Sequence, residues 1–138
     1  MSFLLDTNVL SEARRRQAAD ARVKAWLSSV ASSDLFTSVL VVGEIRRGVE
    51  RLRRRDATQA TLLDEWLTTL KQQFADRVLP VTMEIAEEWG RLNVPDPLPT
   101  IDGYLAATAN IHGLTVVTRN TRDLARTGVA LLDPWAAG

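Results

Sequence analysis

Cysteine is absent from the 138 residues. That excludes disulfides, thiolate metal sites and cysteine nucleophiles, and it suits a reducing cytoplasm, the compartment expected for this chain. Histidine occurs once, as His112, so a paired-imidazole acid–base mechanism cannot operate within one subunit. Its position just before Gly113 reads as a C-terminal helix residue and not a catalyst. The only lysines are Lys24 and Lys71, each inside a segment of helical pattern. Neither Gly43 nor Gly48 stands in a Gly-Lys-Ser/Thr context, so there is no Walker-type phosphate loop. Apolar runs such as Val39–Val42 are far too short to span a bilayer, and the opening Met1-Ser-Phe-Leu-Leu-Asp6 has no basic leader and meets a carboxylate too early for a signal peptide.

What is present is a chain with 46% hydrophobic residues, enough for one compact domain over 1–138 without covalent staples. Seventeen basic residues balance seventeen acidic ones. The whole molecule therefore has no general attraction for a polyanion, and any nucleic-acid contact must be local. The one uneven stretch holds Arg46, Arg47, Arg51, Arg53, Arg54 and Arg55; it is either a solvated helix face or a guide for a polyanion.

Periodicity supplies the architecture. Phe3-Leu4-Leu5 predicts a strand ending at Asp6, with a helix following from Asn8. A second helix is expected over Ala19–Ala31, from the recurrence of Val23, Trp26, Leu27 and Val30. Leu35-Phe36-Thr37 reads as a strand, and Ser38 as the N-cap of a helix through Val39, Val42, Ile45, Val49 and Leu52. Asp56 or Thr58 can cap the next helix. Its apolar stripe Leu62, Leu63, Trp66, Leu67, Leu70 and Phe74 is either core or, together with the preceding helix, a groove for a partner's amphipathic helix. Val78–Val81 is a third strand, and Ile85, Ala86 and Trp89 mark another helix. Pro95, Pro97 and Pro99 make a stiff connection. Thr100 then reads as the N-cap of a helix Ile101–His112 closed by Gly113. Leu114–Thr118 and Val129–Leu132 are the last strands. Short apolar strands alternating with helices define an α/β domain, with a largely parallel central sheet of four to five short strands and helices on both faces.

In such sheets ligands gather at the carboxyl ends of the strands. Asp6 and Asp123 both follow strands. Glu44 interrupts a segment apolar enough to be buried, where an unpaired carboxylate is costly, so it needs either an arginine partner or a cation. Asp102 lies in the first turn of its helix, where the helix dipole alone would favour it. Together the four acids are a hard-oxygen set suited to Mg²⁺ or Mn²⁺, which can polarise a phosphate and acidify a bound water without histidine or cysteine.

These residues resemble a known family. Leu4-Leu-Asp-Thr-Asn-Val-Leu-Ser-Glu12, Val42-Gly-Glu44-Ile-Arg-Arg-Gly48, Ile101-Asp102-Gly-Tyr-Leu-Ala-Ala107 and Val116-Val-Thr-Arg-Asn-Thr-Arg-Asp123 look like the four motifs, in order, of PIN-domain VapC toxins. The arrangement and the closing Leu131-Leu-Asp-Pro-Trp135 are similar to the FitB-like branch. Leu124 departs from the phenylalanine many relatives carry. The resemblance implies a PIN-like fold and a Mg²⁺- or Mn²⁺-dependent endoribonuclease. It also implies a homodimeric toxin neutralised by a VapB-type antitoxin. Asp6, Glu44 and Asp102 carry over as metal ligands and Asp123 as the fourth acid, with Thr7, Asn8, Thr118 and Asn120 as polar supports. Arg51, Arg53, Arg54 and Arg55 are candidate RNA contacts. The alternatives are a non-catalytic PIN-like binding module and an aspartate-based phosphotransfer enzyme. The latter lacks the second aspartate, since Asn8 stands there, and a lysine near a strand end.

Overall fold

A computed structural model describes residues 1–136; residues 137 and 138, the end of the expected domain, lie outside the described residues. Five short strands, β1 (Phe3–Leu5), β2 (Leu35–Ser38), β3 (Val78–Leu79), β4 (Thr115–Val117) and β5 (Leu131–Leu132), form one sheet in the order β3-β2-β1-β4-β5. Every pairing is parallel. The register sets Leu4 of β1 opposite Phe36 on one side and Val116 on the other. Parallel strands need crossovers, and these are helices α1 (Thr7–Arg14), α2 (Ala21–Ser29), α3 (Val39–Arg53), α4 (Ala57–Phe74), α5 (Met83–Leu92), α6 (Thr100–His112) and α7 (Thr121–Leu124). Right-handed crossovers put the helices between β1 and β3 on one face, and those that follow β3 on the other. The packing agrees: α1 touches α2 and α3, α3 packs along α4, and α6 packs on α5 and α7.

The core is the sheet's side chains between these layers. Leu4, Val116 and Val117 are fully buried, and so are Val9, Val23, Val41, Leu67, Leu105 and Leu124 from the surrounding helices. Removing such a side chain costs about 2–5 kcal/mol, so Leu4→Ala alone would consume much of a marginal stability.

Local chemistry starts and stops the helices. The Ser38 hydroxyl accepts the Leu40 N–H at 3.1 Å, and Asp56 rather than Thr58 caps α4 by accepting the Gln59 N–H at 3.0 Å. Gly113 ends α6 at φ 69°, the left-handed conformation that glycine takes without a Cβ clash. Two expectations are corrected. Thr100 is the first residue of α6 and not its cap; Pro99 is, with no side-chain capping bond, and its carbonyl accepts the Gly103 N–H at 2.9 Å. Proline's missing N–H costs nothing there. The open groove beside α4 faces α1 and α2 instead of α3, and is lined by Leu10, Ala13, Leu27, Trp66, Leu70 and Phe74. Of the α4 stripe, Leu67, Leu70 and Phe74 are buried, Leu63 and Trp66 are half-buried and Leu62 is exposed, so half of it is core.

Candidate active site

The strand order reverses direction around β1 and β4, the switch point where open α/β sheets leave a crevice at the strand ends. Asp6 sits there. Its N–H donates to the Val117 carbonyl at 3.0 Å, extending the β1–β4 ladder by one residue, and its side chain is 4% exposed. A buried carboxylate must be hydrogen-bonded. Oδ1 accepts the Thr7 N–H at 2.7 Å; Oδ2 accepts the Thr118 hydroxyl at 2.8 Å and the Asn8 amide at 3.4 Å. Asn8 also donates to Thr118 Oγ1 at 3.3 Å and accepts the Arg119 N–H at 3.3 Å, tying the turn after β1 to the turn after β4. Asn120 joins this network through its backbone N–H, which donates to Thr118 Oγ1 at 3.0 Å.

Glu44 projects from α3, which starts where β2 ends. The Thr7 hydroxyl donates to its Oε1, so Thr7 serves two acids, Asp6 through its main chain and Glu44 through its side chain. The arginine partner considered for Glu44 is not found: no ion pair among the described residues includes Glu44, Asp6, Asp102 or Asp123.

Asp102 is half-buried in the first turn of α6, and Asp123 is exposed in the first turn of α7. The Asp102 carboxyl is pushed up from 3.8 to about 6, chiefly by burial, then by the negative charges of Asp6, Asp123 and Glu44. Three acids from distant parts of the sequence, Asp6, Glu44 and Asp123, are thus brought within electrostatic reach of Asp102, and no ion pair among the described residues compensates them. Next to Asp102, Gly103 lets α6 lie close to α5: a Cβ there would stand 3.1 Å from the Trp89 ring, which stacks on Tyr104 at 4.8 Å.

Among the described residues, no three His, Cys, Asp or Glu side chains are arranged to hold a metal ion as they stand. The chemistry of the set does fit a hard divalent cation. All donors are oxygens, the charge at Asp102 is repelled and unpaired, and Mg²⁺ is commonly held by only one or two carboxylates with water completing its shell.

The arginine cluster divides. Arg46 and Arg53 pair with Asp64 of α4 at 2.9 and 3.2 Å and with Glu50 at 3.3 and 3.6 Å, while Arg51, Arg54 and Arg55 are exposed with no ion pair among the described residues.

This fold, with acids at its switch point, defines the class: the chain belongs to the PIN domain family, whose model matches residues 3–130. It is 37% identical over 139 residues to Toxin FitB of Neisseria gonorrhoeae, covering 96% of this chain and 98% of that protein. It is 33% identical over 141 residues to VapC ribonuclease Y4jK of Sinorhizobium fredii, covering 96% and 97%. The crystal structure of FitAcB from Neisseria gonorrhoeae matches it with a TM-score of 0.89 at 35% identity, over 98% of this chain and 99% of that one. The expected PIN-like α/β fold and the family resemblance are both borne out.

Proposed function

We propose that this protein is a divalent-metal-dependent endoribonuclease toxin of a toxin–antitoxin pair, cutting phosphodiester bonds in single-stranded or loop RNA. The observation that carries the reading is the raised Asp102 carboxyl beside Asp6, Glu44 and Asp123, with no cation paired to any of the four among the described residues. A pure scaffold gains nothing from such repulsion. A metal-binding site does, because the repulsion is relieved on loading. The names of the relatives, a toxin and a ribonuclease, support the same reading.

In this reading Asp6, Glu44 and Asp102 hold Mg²⁺ or Mn²⁺, and Asp123 acts from the exposed rim, directly or through water. When bound, the ion neutralises phosphate charge and acidifies a water. The protein's own residues do the positioning. Thr118 and Asn8 fix Asp6 Oδ2, and the Thr7 hydroxyl fixes Glu44, so neither carboxylate has to be ordered on binding. Unpaired RNA is favoured because it leaves bases and backbone free to reach a cleft.

A VapB-type antitoxin is the second half of the proposal, with the toxin a homodimer that becomes a hetero-oligomer on neutralisation. The apolar groove between α4 and the α1–α2 pair, with Trp66 half-buried under Arg14 at 5.8 Å, suits an amphipathic helix. The protein purified free of antitoxin should cleave single-stranded RNA with Mg²⁺ or Mn²⁺ and stop on addition of EDTA. Cleavage indifferent to EDTA would reject the metal mechanism, and RNA binding without cleavage would favour the binding-module alternative. No described helix is long and apolar enough to cross a membrane.

A further inference from the structure

Beside the carboxylates lies a second, unlike feature. A pocket of about 260 Å³ is lined by Val39, Leu40, Gly43, Glu44, Arg47 and Ile101. It shares Glu44 with the acidic site, and Ile101 is the residue before Asp102, so the pocket borders the cluster. Its walls are apolar apart from Glu44 and Arg47, and Val39 is 40% exposed. Arg47 is exposed, has no ion pair among the described residues, and lies on the same helix face as Glu44 three positions earlier.

Gly43 gives the pocket its meaning. Glycine is the least favourable helix-interior residue after proline, and here nothing lies within 4 Å of where its Cβ would stand. No packing among the described residues demands it; the same is true of Gly48 in this helix, but of the two only Gly43 lines the pocket. Its absent side chain instead leaves the floor of the pocket open for another molecule to approach the helix backbone.

Resting on the ribonuclease reading, we propose that this pocket is a base subsite that takes one unpaired nucleobase of the RNA, next to the phosphodiester presented to the carboxylates. The chemistry is that of single-strand recognition. A flat ring is buried against the aliphatic walls of Val39, Leu40 and Ile101, the Arg47 guanidinium covers a face or edge of it, and its own backbone is left at the acids. The volume lies below the roughly 300–1,000 Å³ of pockets that enclose whole small ligands, a size suited to one base.

The test measures kcat/KM with Mg²⁺ for a single-stranded oligoribonucleotide with one cleavage position, and for two analogues, each abasic on one side of the cleaved bond. The parent should cleave the intact RNA about ten-fold or more better than one abasic analogue, as expected for loss of one stacked base. Gly43→Leu fills the open space with a better helix former, so it should melt no lower than the parent yet bring that ratio close to one. Val39→Ser should lower the ratio in the same direction, while Met83→Ser, exposed on α5, should leave it unchanged. A parent that cleaves all three RNAs equally overturns the subsite and leaves the ribonuclease reading intact. So does a Gly43→Leu protein that keeps the full ratio. If Gly43→Leu instead changes the sedimentation of the protein and slows all three RNAs alike, the pocket is a contact between copies of the chain and the subsite is overturned. A parent that cleaves none of them overturns the ribonuclease reading and the subsite together.

Discussion

The two halves of α3 differ in composition, the first apolar around Glu44 and the second rich in arginine, and they treat their glutamates in opposite ways. In the second half Glu50 stands between Arg46 and Arg53, and both arginines reach across to Asp64 of α4. Each of these four charges has a partner, and Asp64 is held below the ordinary carboxylate range chiefly by its hydrogen bond from Arg46. In the first half Glu44 receives, among the described residues, only a neutral hydroxyl, from Thr7, and adds its charge to those already crowding Asp102. The same helix therefore carries one carboxylate whose charge serves the fold and another whose charge is left over. Uncompensated charge at a sheet's switch point is what separates the candidate site from the fold's ordinary ion pairs.

Substitutions in the two halves should separate accordingly. Glu44→Gln should lower metal-dependent RNA cleavage by orders of magnitude without lowering the melting temperature of the metal-free protein; retained cleavage would place Glu44 with Glu50 as a structural residue. Thr7→Val removes the one side-chain donor to Glu44 and should cost about 10- to 100-fold in metal affinity or activity, the usual effect of losing a group that orients a metal ligand. Titrating Mg²⁺ against cleavage checks it, and an unchanged midpoint would deny Thr7 that role. Replacing the unpaired Arg51, Arg54 and Arg55 with glutamine should weaken RNA binding and flatten its dependence on salt, by about 0.7 in log–log slope for each phosphate that is no longer neutralised. An unaltered slope would return them to the solvated face. Asp64→Asn should do least: its ion pairs are solvent-exposed, so cleavage should be unchanged and melting shifted only slightly. A large loss of cleavage would mean the α3–α4 hairpin positions the site.

Much of this contrast was legible in the sequence because it depends on residues whose chemistry is local. Asp6 after Phe3-Leu4-Leu5, Ser38 before an apolar helix and Gly113 after His112 each announce an element boundary through backbone chemistry, and the structure places all three as expected. The same holds for α6, which brings Asp102 to the site from its first turn. Non-local packing was not legible. The Thr100 cap failed because Pro99 fits the same place without needing a donor. The groove of α4 turned to α1 and α2 because α3 is engaged with α4 through apolar packing and the Asp64 ion pairs, contacts that helical periodicity cannot assign to a neighbour. Arg46 and Arg53 read as members of one basic run in the sequence; Asp64, distant along the chain, sets them apart from it. The open side of Gly43 has no sequence signature beyond a glycine in a helix.

The most direct measurement is on Asp102. Its folded carboxyl titrates near 6, above its ordinary 3.8, so the proton-bound form favours the fold: this contribution is complete below about pH 4 and is lost as pH rises through about 6. Through this residue the metal-free protein should lose stability between about pH 4 and pH 7, and Asp102→Asn should remove that part of the pH dependence. The parent and Asp102→Asn are melted near pH 7, with and without Mg²⁺, and their RNA cleavage is measured alongside. The metal-free variant should be at least as stable as the parent, gain less from Mg²⁺, and cleave RNA slower by orders of magnitude. A variant that melts lower than the parent, gains as much from Mg²⁺ and cleaves RNA at the parent's rate would remove Asp102 from the site.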